Sequence, residues 1–275
     1  MSKEIPNGLV VLTFDDRSRT WIELVAPLLK NYGFNATFFV TEATWLHYHD
    51  DPAIWISWEE LARLNADGFE IANHTMNHED VTSLSVEENI AEMAGIENLC
   101  EANGIPVPVS FGYPSGPHGM TAIEALERTR YLFGRRGVTP EYQDYANGGA
   151  GPLYDPEEDH PYLIPSSFIW GSSFSADSLS GEMYGYAREA APKFDDLADK
   201  VKSAKNGKVA VLTFHGIPDG YPHASTDPDV FRRITSFLRN ERCTVIALRD
   251  LREYVDPNRK PDDPYEIIKN RTQDK

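Results

Sequence analysis

Gly8-Leu9-Val10-Val11-Leu12-Thr13-Phe14-Asp15-Asp16 is an apolar run closed abruptly by two carboxylates. A run without polar alternation reads as a strand buried on both faces, and such strands belong to parallel sheets covered by helices. Near the other end of the chain Val211-Leu212-Thr213-Phe214-His215 repeats the pattern and again stops on a titratable group. Two buried strands explain this repetition better than an internal duplication does.

The segments between these runs follow one grammar, a short apolar strand, a polar loop and an amphipathic helix. Strands are expected at 8–14, 36–40, 69–72, 107–113, 131–134, 162–169, 208–214 and 244–248, those containing proline least firmly. Ser57-Trp58-Glu59-Glu60 and Ser85-Val86-Glu87-Glu88 match the capping box and should start helices. Asp227-Pro228 supplies an N-cap and first-turn proline, and Gly33 a helix terminator. Seven or eight strands interleaved with helices favour a closed or nearly closed α/β barrel in a single domain. Active sites of such barrels gather at the C-terminal strand ends, where Asp15, Asp16, His74, His78 and His215 all fall. Two stretches depart from the grammar: a long loop over 139–161, and a polar, proline-containing tail over 256–275 that should be loosely attached to a barrel of residues 1–255.

Composition narrows the function further. With 275 residues and 41% hydrophobic content the chain can bury one large core. Its 43 acidic against 26 basic residues, a formal charge of -17, leave no basic stripe for a phosphate backbone, so nucleic acid is excluded as a partner. Only Cys100 and Cys243 occur, which rules out a disulfide framework or a Cys-x-x-Cys clip. No stretch approaches the ~18 apolar residues of a membrane span, and the N-terminus lacks an apolar leader. As it stands the chain reads as cytoplasmic; a leader removed beforehand would leave the same sequence and make the protein secreted. Oligomeric state is not legible.

The chemistry rests on a few side chains. His74-x-x-x-His78 places two imidazoles one turn apart if the segment after the strand is helical, so both can reach one ion. Asp15-Asp16 offers a third ligand and a spare carboxylate for moving protons. Each element also has a plainer reading: an exposed histidine pair, a turn or cap at Asp15-Asp16, a core-edge histidine at 215. Their joint occurrence favours a metal-dependent hydrolase.

On these residues the sequence resembles the polysaccharide deacetylases, the NodB-homology family or carbohydrate esterase family 4. Thr13-Phe14-Asp15-Asp16 resembles the family's first motif, His74-Thr75-Met76-Asn77-His78 its second and Leu212-Thr213-Phe214-His215 its fifth, and the likeness covers roughly residues 8–250. The resemblance implies a distorted, TIM-barrel-like (β/α)7 barrel. It also implies a divalent metal, zinc first with cobalt, nickel or manganese as alternatives, held by Asp16, His74 and His78. Asp15 would be the general base and His215 the acid in removing N-acetyl groups from an acetylated oligo- or polysaccharide. A backbone N–H of the loop Tyr113-Pro114-Ser115 would stabilise the oxyanion.

That loop is where the sequence departs. The family commonly reads Arg-Pro-Pro-Tyr, its arginine orienting the base; Phe111-Gly112-Tyr113-Pro114-Ser115-Gly116 has none. Arg135 and Arg136 are the candidate substitutes, the alternative being a surface pair. The aspartate that tunes the acid histidine is open among Asp144, Asp155 and Asp159. Asp219 and His223 could line the substrate mouth, and Trp170, Tyr113 and Tyr154 could give flat platforms for a sugar, though turn and core roles compete. Two other functions stay open: an O-acetyl esterase or small-amide hydrolase with the same site, and a non-catalytic carbohydrate-binding homologue, which the missing arginine motivates.

Overall fold

A computed structural model describes residues 2–43, 51–137, 151–169, 194–217 and 225–273. Among these, strands β1 (Leu9–Asp15), β2 (Thr37–Val40), β3 (Glu70–Asn73), β4 (Ser110–Gly112), β5 (Phe133–Arg135), β6 (Ser167–Phe168), β7 (Ala210–Phe214) and β8 (Thr244–Ile246) form one sheet. Its order is β5-β4-β3-β2-β1-β7-β6 with every pairing parallel, and β8 lies along the first residues of β1. The segment that pairs β7 at Ser167 and Phe168 also bridges β5 at Ile164, so the sheet curls round on itself. The architecture is therefore the curled parallel α/β barrel expected from the sequence, in one domain.

The helices are α1 (Ala26–Tyr32), α2 (Trp58–Ala66), α3 (Val86–Ala102), α4 (Met120–Glu127), α5 (Phe194–Ser203), α6 (Pro228–Asn240) and α7 (Glu266–Gln273). Ser57 and Ser85 cap α2 and α3 in reciprocal boxes with Glu60 and Glu88. Asp227 caps α6 ahead of Pro228, and Gly33 ends α1 at φ 70°. Pro106 and Pro108, which cannot donate to a ladder, hold β4 to three residues where a longer strand was expected.

Side-chain parity along β1 places the site. Val10, Leu12 and Phe14 pack outward in a core shared with Leu29, Leu61, Ile96 and Phe231 of the helices. Leu9 and Val11 point the other way, into a core built from Phe39, Ala72, Phe133, Ile164 and Val211 inside the curl. Thr13 continues the inward row, its Oγ1 2.9 Å from Thr213 Oγ1 on β7. Asp15 is next in that row and stands at the open end of the barrel.

The C-terminal segment is not the loose tail its polarity suggested. Ile268 is buried with Tyr113, Leu126 and Tyr131, and Arg271 binds Asp159 through two hydrogen bonds of 2.8 and 2.9 Å. No helix among the described residues is long and apolar enough to cross a membrane.

Candidate active site

Asp15 ends β1 and Asp16 turns the chain away from it, Asp16 at φ 74° and Arg17 at φ 59°. Aspartate tolerates the left-handed region because its short side chain bonds locally. Arginine gains less, and Arg17 is anchored instead: its Nε and Nη2 donate to Ile56 O, Nη1 pairs with Glu42, and its guanidinium lies 5.0 and 4.9 Å from the rings of Trp55 and Trp58. The chain beyond β1 is thereby fixed in the conformation that aims Asp16 across the barrel mouth.

His74 and His78 follow β3, but the segment is not helical. Thr75 and His78 both have positive φ, 62° and 54°. The turn is held by Thr75 N–H donating to Asn73 Oδ1 and by Glu92, which accepts from both the backbone and the side-chain nitrogen of Asn77. The two imidazoles still converge, with ring centroids 4.9 Å apart and each Nε2 3.4 Å from Asp16 Oδ1.

One carboxylate oxygen and two imidazole nitrogens lie within 4.8 Å of one another. Ligands bound at 2.0–2.1 Å to a tetrahedral zinc stand ~3.3 Å apart, and the two 3.4 Å separations from Asp16 Oδ1 match that spacing, so this donor set could hold a divalent ion. His74 Nδ1 lies 2.8 Å from Gly112 O, the outer hydrogen bond that fixes a ligand imidazole with Nε2 inward. Burial pushes the His74 imidazole down to about 4 against the pull of Asp15 and Asp16, keeping it in its neutral, ligating form. Burial also penalises the charge of Asp16, but His78, His215 and His74 outweigh it and hold the carboxyl below the usual range. At His78 the burial penalty is likewise exceeded by Asp16, and the imidazole is raised.

Asp15 is 2% exposed and its two oxygens face different partners. Oδ1 accepts a 2.6 Å hydrogen bond from Arg135 Nη2; Oδ2 points into the cluster, 4.0 Å from both His74 Nε2 and His215 Nε2. His215 follows β7, and its Nε2 is also 3.6 Å from Asp16 Oδ2. Its carbonyl accepts from Trp21 Nε1 at 3.1 Å, and its ring sits 5.9 Å from that of Phe168.

Of the two arginine candidates only Arg135 touches Asp15. Arg135 shares the inward parity of Phe133 on β5, whereas Arg136 points out of the curl and donates from Nε to Leu163 O. Tyr113 is buried beside Phe111 and His118 and offers no exposed platform, and Tyr154 is likewise core. Ser115 is exposed at φ 55°. Within its loop Tyr113 N–H donates to Arg135 O and Gly116 N–H to Tyr113 O, and Pro114 has no N–H, which leaves Ser115 N–H. Asp155 pairs with Lys208 and Asp159 with Arg271. Trp170, Asp219, His223 and Asp144 lie outside the described residues. The sequence reading missed Gly112 O, Trp21 and the Arg17 anchor. A backbone carbonyl leaves no sequence signal, but Arg17 directly follows a proposed ligand.

A curled parallel barrel with a carboxylate and two imidazoles converging at its strand ends defines a class, the α/β barrels built around one candidate metal centre. Residues 2–134 match the family model described as polysaccharide deacetylase. YxkH of Bacillus subtilis (strain 168) is 28% identical over 132 residues, 48% of this chain and 44% of that one. The chitin deacetylase of Colletotrichum lindemuthianum is 33% identical over 92 residues, 33% of this chain and 35% of that one. Its solved structure has a TM-score of 0.55 at 18% identity, covering 93% of this chain and 91% of that one. The Xyl-CE4 domain of a multidomain xylanase from the hindgut metagenome of Trinervitermes trinervoides gives 0.56 at 18% identity, covering 92% and 94%. The chain spans less than half the length of the curated relatives it matches. Over residues 2–134 the chain is similar to the polysaccharide deacetylase family.

Proposed function

We propose that the protein is a metal-dependent hydrolase that removes acetyl groups from the amino groups of an N-acetylated saccharide. The observation that carries this reading is the division of labour within Asp15: Arg135 holds Oδ1 while Oδ2 faces the Asp16, His74 and His78 donor set.

Asp16, His74 and His78 would hold the ion, which supplies Lewis acidity toward a hydrolytic water and an acyl carbonyl. Asp15 Oδ2 accepts the proton of the attacking water as its oxygen bonds the acetyl carbon. With Arg135 on Oδ1 the carboxylate cannot rotate away, so its free oxygen stays aimed at that proton. Ser115 N–H, not engaged within its loop, would donate to the oxygen that gains charge, a contribution worth about 10²–10³ in rate. As the carbon–nitrogen bond breaks, His215 Nε2 gives a proton to the departing nitrogen, and acetate and a free amine result.

Burial of Arg135 against Asp15 supplies the cation whose absence from the Phe111–Gly116 stretch motivated a non-catalytic reading, and so supports the catalytic one. A panel of an N-acetylglucosamine oligomer, an O-acetylated xylan and a small acetamide tests the substrate class. Acetate release from the first, lost in Asp15→Asn, is expected; release from only the ester or only the small amide would overturn the N-deacetylase reading.

A further inference from the structure

Gly112 and Arg135 are partners in register at the ends of β4 and β5. A Cβ on Gly112 would stand 2.8 Å from Arg135 Nη2, 2.9 Å from Phe39 Cγ and 3.0 Å from His74 Nδ1. The backbone there is not in the left-handed region, so conformation does not call for glycine; only the space does. That space is taken by the guanidinium on its way to Asp15.

Arg135 is completely buried, and its Nε and Nη1 have no hydrogen-bond partner among the described residues. Its charge is held by the Asp15 bond and by the faces of Phe39 and Phe168, at 4.8 and 5.8 Å from the guanidinium carbon. A group placed by shape and a single carboxylate bond has no second polar contact to restore it after a displacement of a few tenths of an ångström.

We propose that Gly112 is a positioning residue for Asp15 and acts through Arg135: the missing side chain at the end of β4 opens the slot through which an arginine from β5 reaches the base. The inference rests on the reading of Asp15 as the base.

The test is a double-mutant cycle of Gly112→Ala, Arg135→Ala and the pair, on the full chain loaded with zinc. Gly112→Ala is expected to lower kcat for acetate release by about 10- to 100-fold, the worth of one charge-assisted hydrogen bond, with KM and zinc affinity within about threefold of wild type. Arg135→Ala should lose a similar factor, and the double variant should be no slower than Arg135→Ala alone. Losses that multiply, or a Gly112→Ala protein whose defect is zinc affinity, would place the effect on His74 and overturn the proposal. Thermal unfolding of the same four proteins reads the slot independently of activity. The cost of Gly112→Ala should shrink when Arg135 is absent, and an equal cost in both backgrounds would refute the slot. A wild-type protein that releases no acetate would instead count against the function alone.

Discussion

Replacing Arg271 with alanine should destabilise the barrel, and the loss should depend on pH. Asp159 is 2% exposed and accepts from Arg271 Nη1 and Nη2 at 2.8 and 2.9 Å, and its Oδ2 also takes the Asp155 N–H at 2.9 Å. Burial raises the Asp159 carboxyl, and Arg271 is the main group pulling it back. Removing one partner of a buried pair typically costs ~3–5 kcal/mol. Arg271 is 20% exposed and the Asp155 N–H remains, so we expect about 2–3 kcal/mol here, or roughly 4–12 °C in Tm. Without the guanidinium the folded-state pKa of Asp159 rises further above its unfolded value. The folded protein then binds that proton more tightly than the unfolded chain, so stability falls as pH rises and is regained as pH drops through the raised pKa. Urea unfolding of wild type and Arg271→Ala at neutral and mildly acidic pH measures this, with Asp159→Asn added to recover most of the loss. An equal loss at both pH values, or one untouched by Asp159→Asn, would refute the reasoning.

Asp16→Ala, His74→Ala or His78→Ala should each cost more zinc affinity than the ~10–100-fold of an outer hydrogen-bond partner, while Asp15→Asn keeps the metal; metal content after dialysis and cobalt spectra check both. Trp21 is fully buried, stacks on Phe38 at 4.9 Å and donates to His215 O, so Trp21→Ala should lose about 3–5 kcal/mol in denaturant unfolding. Ser85→Ala removes the box that starts α3 and should cost about 1 kcal/mol by the same assay.

Much of the barrel is legible because its strongest signals are local. An unbroken apolar β1, two serine–glutamate boxes and Asp227-Pro228 each specify their own conformation. The His74 to His78 turn is not local: its left-handed residues are held by Asn73 and by Glu92 from α3, a contact no spacing rule contains. Arg135 and Arg136 look equivalent in sequence, but strand alternation separates them once Phe133 is known to face inward. The tail misled for a compositional reason. A few anchors, Tyr265 on His118, Ile268 in the core and Arg271 on Asp159, dock a segment whose other residues are polar. Asp159 in turn binds the tail through Arg271, a pairing hidden while the tail was read as loosely attached.

The most direct test is acetate release from N-acetylglucosamine oligomers by metal-stripped protein, before and after adding zinc, beside Asp15→Asn carrying the same zinc. Release that returns with zinc and stays absent in the variant is the predicted result. Release by the stripped protein, or undiminished release by the variant, would contradict the account.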